Sequence, residues 1–265
     1  MEKINQTLER KLLDTALVAA QAAGQLLIEK LNTTLSIDFK GRANMVTEAD
    51  RASENLIVEM IQREFPDHRI LTEERPQIES DSDFKWIIDP LDGTTNFVHG
   101  FPMFAVSIGL EVAGQMVLGV VFHPTTNELF SAIRGKGAFL NKHPISVSSV
   151  ETLSYSLLAT GFPYELDAPF YRNMELFKRF YVKCQGVRRP GSAALDLCYL
   201  ACGRYDGFWE FCLHPWDVAA ASVVISEAGG YLSDFQGDTF SVYKRETLAT
   251  NGKITDEMLS ILKNS

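Results

Sequence analysis

The chain is poor in cysteine. Cys184, Cys198, Cys202 and Cys212 are the four among 265 residues. They form no C-x-x-C pair and no Cys/His spacing of zinc-site type, which excludes a metal ribbon. Reduced, buried thiols are the expectation, and they suit a cytoplasmic protein. Basic residues are also in deficit, 25 Lys and Arg against 34 Asp and Glu, for a formal charge of −9. A protein built to bind phosphate backbones carries the opposite balance, so nucleic acid is set aside as a main partner. No clean long apolar run occurs. Residues 12–28, LLDTALVAAQAAGQLLI, are interrupted by Gln21 and Gln25 and flanked by Glu2, Glu9 and Asp14. That pattern excludes a signal peptide, and the run reads as too short and polar to span a bilayer, so no membrane is expected. Internal repeats, low-complexity tracts and Pro- or Ser-rich linkers are missing too. Any boundary near 145–155 therefore joins two closely packed halves, 1–150 and 151–265.

What is present is core material. Hydrophobic residues make up 46%, including 17 Phe, 8 Tyr and 3 Trp, enough that neither disulfide nor structural metal is needed. Leu13, Leu17, Ala20, Gly24, Leu27 and Leu31 follow three- and four-residue steps and predict an amphipathic helix, with Gly24 admitting a close neighbour. A polar stretch, FKGRANMVTEADR, leads to a second helix over 50–65, marked by Leu56, Ile57, Met60, Ile61 and Phe65 and stopped by Pro66. RILT and KWIID read as strands. MFAVSIGLEVAGQMVLGVVFHPTTNELFSAI reads as a three-strand antiparallel meander with turns at Ala113-Gly114 and Thr125–Asn127. The second half alternates: strand LLATG, helix 170–183, strand and turn VRRPG, helix SAALDLCYLACG, strand DGFWEF, helix PWDVAAASVVISEAGG, strands at 230–233 and 247–250, and a helix at 254–263. Strand and helix layers stack throughout, an α+β or α/β sandwich.

Chemistry concentrates in WIIDPLDGTTNFVHGFP, Trp86 to Pro102. A strand delivers Asp89, Pro90 breaks the ladder, and Asp92, Gly93, Thr94, Thr95 and Asn96 form a turn and helix start. Two carboxylates three apart there can face one point, while Gly93 and the amides and hydroxyls after it make an anion cradle. Carboxylates beside a phosphate cradle require a cation, and all-oxygen ligation suits Mg²⁺. The spacing also separates this motif from the D-x-D-x-T of aspartyl-phosphate phosphatases, leaving a metal-activated water as the nucleophile. A second segment, HPWDVAAASVVISEAGG, places Asp217 at a helix start followed by Ala219, Ala220 and Ala221, small enough for a close approach.

Together the two segments resemble the paired signature of the inositol monophosphatase family, Mg²⁺-dependent and lithium-sensitive phosphatases. MVTEAD, ILTEE, GVRRPGSAALDL and DGFWE fall in the family's order, so the resemblance covers about residues 12–252. RRPGSAALDL is most similar to the bacterial inositol-1-monophosphatase branch. The resemblance implies a layered αβαβα sandwich and a homodimer. It places metal ligands on Glu73, Asp89, the Leu91 carbonyl, Asp92 and Asp217, serving two to three Mg²⁺. Glu73 and Thr94 would hold the attacking water, with Asp50 behind Thr94. Phosphate would lie on the Gly93 and Thr94 amides, and substrate hydroxyls would meet Asp92, Asp217, the turn Gly191, Ser192 and Ala193, and Glu210. The chain departs from the family in Thr72, where Gly commonly precedes the first acid, and in Ala221, where W-D-x-A-A-G has Gly.

Charge argues the same way. Convergence of Asp50, Glu73, Asp89, Asp92 and Asp217 would cost several kcal/mol per unpaired buried carboxylate, so cations or protons must join them. His99 and His123 are expected in loop and turn hydrogen bonds. Arg188 and Arg189 could clamp a phosphate, and subunit salt bridges are favoured for them. Lys40 could approach the metal loop or lie in solvent. The substrate read from these residues is a small phosphate monoester, myo-inositol monophosphate first. Histidinol phosphate, fructose 1,6-bisphosphate and a 3′-phosphonucleotide are rivals, and a regulatory binding protein that keeps the fold is the alternative class.

Overall fold

A computed structural model describes residues 5–31, 37–39 and 45–263. Lys40 lies outside them. Helix α1 (Gln6–Lys30) starts where the Asn5 side chain accepts from the Leu8 amide at 2.9 Å. Strand β1 (Ile37–Phe39) ends where the stretch read as polar begins and pairs antiparallel with β2 (Met45–Thr47) inside it, and α2 (Glu48–Glu64) follows from a Thr47/Asp50 capping box. The next strands, β3 (Arg69–Thr72) and β4 (Phe84–Asp92), run parallel. After α3 (Thr94–Val98), β5 (Ala105–Val112), β6 (Gln115–His123), β7 (Glu128–Ile133), β8 (Ala138–Leu140) and β9 (His143–Pro144) extend the sheet antiparallel in chain order. The meander forms between the turns that the sequence marks; β8 and β9 add a short hairpin that the sequence reading did not mark.

The second sheet runs in the order β11, β10, β12, β14, β13. Its elements are β10 (Leu157–Thr160), α4 (Ala168–Tyr181), β11 (Gly186–Arg188), α5 (Ala193–Ala201), β12 (Gly207–Phe211), α6 (Pro215–Glu227), β13 (Tyr231–Ser233), β14 (Glu246–Thr250) and α7 (Thr255–Lys263). Five layers result: α1 and α2, the seven-stranded sheet, α5 and α6, the five-stranded sheet, then α4 and α7. Strand alternation assigns the faces. Trp86 and Ile88 pack with α1 and α2, while Ile87 between them packs with α5 and α6.

Two expectations about α1 change. Its innermost line is Leu12, Ala16, Ala19, Ala20, Ala23 and Leu27, with Leu13 and Leu17 only half-buried, because the small alanines let the backbone sit close to the sheet. At 25 residues it is also long and apolar enough to cross a membrane by length and composition, contrary to the reading from its shorter apolar run. Here that apolar face is covered by α2, β5 and β6. Gly24 does admit a neighbour: a Cβ there would stand 2.5 Å from the Phe122 ring. The small residues of α6 serve the same end. A Cβ on Gly119 would come within 2.0 Å of the Ala220 carbonyl oxygen, so β6 and α6 touch backbone to backbone.

All four cysteines are free, but only Cys198 is fully buried; Cys184, Cys202 and Cys212 are half-buried at element ends.

Candidate active site

Strand β4 is buried along its whole length and ends in the catalytic-looking loop. Pro90 does not end the ladder. Pairing with β5 stops at Asp89↔Ser107 and resumes at Asp92↔Ala105, a bulge that turns both aspartates to one end of the sheet. Pro90 lacks an N–H, and its carbonyl instead accepts from Ser53 Oγ of α2 at 2.7 Å. Gly93 then adopts φ +95°, a left-handed conformation that starts α3 and that a side chain would strain.

A cavity of about 450 Å³ opens there, lined by Glu73, Asp89, Leu91, Asp92, Gly93 and Thr94 from the first half. Gly191, Ser192, Ala193, Glu210 and Asp217 line it from the second. Asp50 stands behind Thr94: the Thr94 hydroxyl is 3.0 Å from Asp50 Oδ1 and 3.2 Å from the Leu91 carbonyl oxygen. Asp50 Oδ2 accepts from the Thr47 amide at 2.7 Å and hydroxyl at 2.6 Å, so this buried carboxylate is held rigidly. Burial raises its pKa, against the Thr47 and Thr94 hydrogen bonds that lower it.

Three aspartates of the cavity are anchored. Asp89 Oδ1 accepts from the Leu91 amide at 3.0 Å, and Asp217 Oδ2 accepts from the His214 amide at 2.7 Å at the start of α6. Asp92 Oδ2 accepts from Ser192 Oγ at 2.6 Å and from the Ala194 amide at 2.8 Å. Ser192 is thereby spent on Asp92. Glu73 sits just past β3, on a loop drawn to α2: Glu54 Oε1 accepts from Thr72 Oγ1 at 2.7 Å and from the Glu74 amide at 3.0 Å. The Thr72 hydroxyl, the first of the departures noted above, therefore fastens this loop.

Electrostatics mark the group as one site. Withdrawal from water, then Glu73, Asp92 and Asp217, raise Asp89 well above the usual carboxylate range. Burial and then Asp92 do the same to Asp217. Asp92 is pushed up to about 6 by burial, opposed by the Ser192 hydroxyl and the Ala194 and Ala193 amides. Glu210 is pushed up to about 8 by burial, with Arg189 opposing. Among the described residues no three such side chains stand close enough to form a finished metal-ligand group. The donor chemistry nonetheless fits a hard cation: the facing groups are carboxylate, hydroxyl and carbonyl oxygens, and their crowded charge lacks a balancing cation beyond Arg189 and Arg245 at the lining.

His99 and His123 stay out of the cavity. His123 Nε2 lies 3.0 Å from the Pro102 carbonyl oxygen, and its Nδ1 lies 2.8 Å from Thr126 Oγ1. Arg189 lines the cavity, whereas Arg188 does not. Sequence reasoning missed Asp196, also in the lining, and Gly161, where a Cβ would stand 2.1 Å from Glu210 Oε1. Asp196 was not singled out within the helix SAALDLCYLACG, where it falls in the first turn. Gly161 gave no signal beyond ending the LLATG strand.

Layers, bulge and carboxylate cavity form one site, and the comparisons name its class. The sequence pattern of the Inositol monophosphatase family matches residues 8–265. The chain belongs to that family and is a phosphatase, a hydrolase of phosphate esters. It is 46% identical over 252 residues to an inositol-1-monophosphatase of Synechocystis sp., covering 94% of this chain and 88% of that one. It is 40% identical to the protein named Nus factor SuhB of Escherichia coli, covering 96% of each. Among solved structures, the extragenic suppressor protein SuhB of Bartonella henselae matches with a TM-score of 0.92 at 39% identity, over 96% of this chain and 98% of that one.

Proposed function

We propose that the protein hydrolyses myo-inositol monophosphates to inositol and phosphate, using Mg²⁺ at the carboxylate cavity. The observation that carries this is the crowding of Asp89, Asp92, Asp217 and Glu73 around one cavity beside the start of α3. Residues 1–150 would bring Glu73, Asp89, the Leu91 carbonyl and Asp92 to two or three Mg²⁺, and residues 151–265 would bring Asp217 and the polyol contacts. Mg²⁺ held there would neutralise these acids and supply Lewis-acid chemistry to the phosphoryl group, the attacking water and the leaving oxygen.

The chain's own residues do the rest. The Thr94 hydroxyl has one hydrogen, and the Asp50 carboxylate behind it takes that hydrogen at 3.0 Å. The Thr94 oxygen is then left to accept from a water, which it orients with Glu73; Glu73 receives the proton as the water attacks. The Gly93 and Thr94 amides hold phosphate oxygens. Asp92, Asp217, Glu210 and the Gly191–Ala193 turn meet the hydroxyls of the leaving alcohol, which takes its proton from solvent. A relative named inositol-1-monophosphatase at 46% identity supports inositol over the rival esters.

The same reading has the enzyme lithium-sensitive, cytoplasmic and homodimeric. Comparison of kcat/KM across inositol 1-phosphate, histidinol phosphate, fructose 1,6-bisphosphate and a 3′-phosphonucleotide tests the substrate. A rival preferred about tenfold, about 1.4 kcal/mol of transition-state discrimination, would overturn inositol. The relative named Nus factor SuhB gives a second reading, a role exercised through a partner. The complete set of acids favours catalysis.

A further inference from the structure

Asp196 sits at the first turn of α5, 1% exposed, and its Oδ1 is one of two buried side-chain polar atoms among the described residues with no hydrogen-bond partner. A buried carboxyl oxygen without a partner weakens a fold, and α5 would be better served by an apolar residue. The residue nevertheless belongs to the cavity wall. Its electrostatic neighbours there are Glu210, Asp92 and Arg189.

Glu210, by contrast, is pinned. Gly161 lies against its carboxylate with no room for a Cβ. The Gly161 carbonyl accepts from Asn173 Nδ2 at 2.6 Å, and Asn173 Oδ1 accepts from Trp209 Nε1 at 2.6 Å. The cavity wall therefore holds one carboxyl fixed in place and a second, more deeply buried one with an oxygen whose hydrogen bond is unmade.

We propose that Asp196 is a specificity-determining residue, which together with Glu210 receives the hydroxyl groups of a polyol leaving group. An alcohol both donates and accepts, so it can satisfy a carboxyl in either protonation state. A leaving group with several hydroxyls can serve both acids, whereas an aryl leaving group has none to offer. This inference rests on the phosphatase reading above and adds the residue that selects for hydroxyls.

The test compares inositol 1-phosphate with p-nitrophenyl phosphate in wild type, Asp196→Ala and Asp196→Leu, the last filling the space should Ala destabilise α5. The expected result is a fall of at least tenfold in kcat/KM for inositol 1-phosphate, chiefly through KM. Turnover of p-nitrophenyl phosphate should stay within twofold of wild type, and the thermal midpoint of Asp196→Leu should be equal or higher. An equal fall on both substrates, no fall on either, or a lowered midpoint in both variants overturns the assignment. Wild-type protein inactive on both esters overturns the phosphatase reading and this inference with it.

Discussion

Ser192 Oγ donates to Asp92 Oδ2 across 2.6 Å, joining residues one hundred positions apart. The same hydroxyl oxygen accepts from the Leu195 amide at 3.4 Å as the cap of α5. One side chain thus starts a helix of the second half and orients a cavity aspartate of the first.

Ser192→Ala should lose both bonds. A buried carboxylate stripped of a donor costs about 1–3 kcal/mol, and loss of a helix cap about 1 kcal/mol. Chemical denaturation should show a drop in that range, and phosphate release should fall with it. An unchanged denaturation midpoint would contradict the linkage.

Thr94→Ala should lower kcat by about 10²-fold or more with KM little changed, in the range of a lost general acid-base contribution. Thr94→Ser keeps the hydroxyl facing Asp50 and should recover most of the rate. A Ser variant as slow as Ala would deny the hydroxyl its role.

The cation-free protein should lose stability between pH 6.5 and 8. Glu210, at about 8, holds a proton in the folded state that the unfolded chain has released, while Asp92, at about 6, adds its own loss just below this window. Their contribution is full below the ordinary carboxylate pKa and is lost as pH rises through the folded values. His68 runs the other way, lowered to about 4 by burial while its Nδ1 accepts from Trp86 Nε1 at 3.1 Å. Its contribution is complete above about pH 6.5 and lost below, so it does not mask the carboxylates in this window. Thermal midpoints in EDTA should therefore fall from pH 6.5 to 8, and added Mg²⁺ should restore them at pH 8. A midpoint that rises with pH in EDTA would contradict the burial of these acids.

Gly119→Ala should destabilise without touching the cavity, because its Cβ would need to push the Ala220 backbone away. Overpacking of this kind costs about 1–3 kcal/mol. Calorimetry should register it while KM stays unchanged.

Much of this was legible in the sequence because it is local. Turn signals at Ala113-Gly114 and Thr125–Asn127 marked off β5, β6 and β7, and small residues after Asp217 announced a close approach, here to Gly119 and Gly109 of the sheet. The cavity residues from Glu73 to Asp217 were legible as a set through their resemblance to a family pattern. What escaped depends on tertiary contact. Pro90 reads as a strand end, yet the ladder resumes at Asp92 once a bulge has passed it. The innermost face of α1 follows its alanines because the helix lies against a sheet that the helix alone does not reveal. Asp196 gains its meaning from β12 and Gly161 from the Glu210 carboxylate, neighbours supplied only by the second sheet.

The most direct test of the central claim is phosphate release from inositol 1-phosphate as Mg²⁺ is titrated from zero, in wild type and in Asp89→Asn. Asp89 is the acid on which Glu73, Asp92 and Asp217 all act. The account predicts no release in EDTA, saturable activation by Mg²⁺ in wild type, and loss of release in a variant that remains folded. Release that persists in EDTA, or an Asp89→Asn variant as active as wild type, would contradict it.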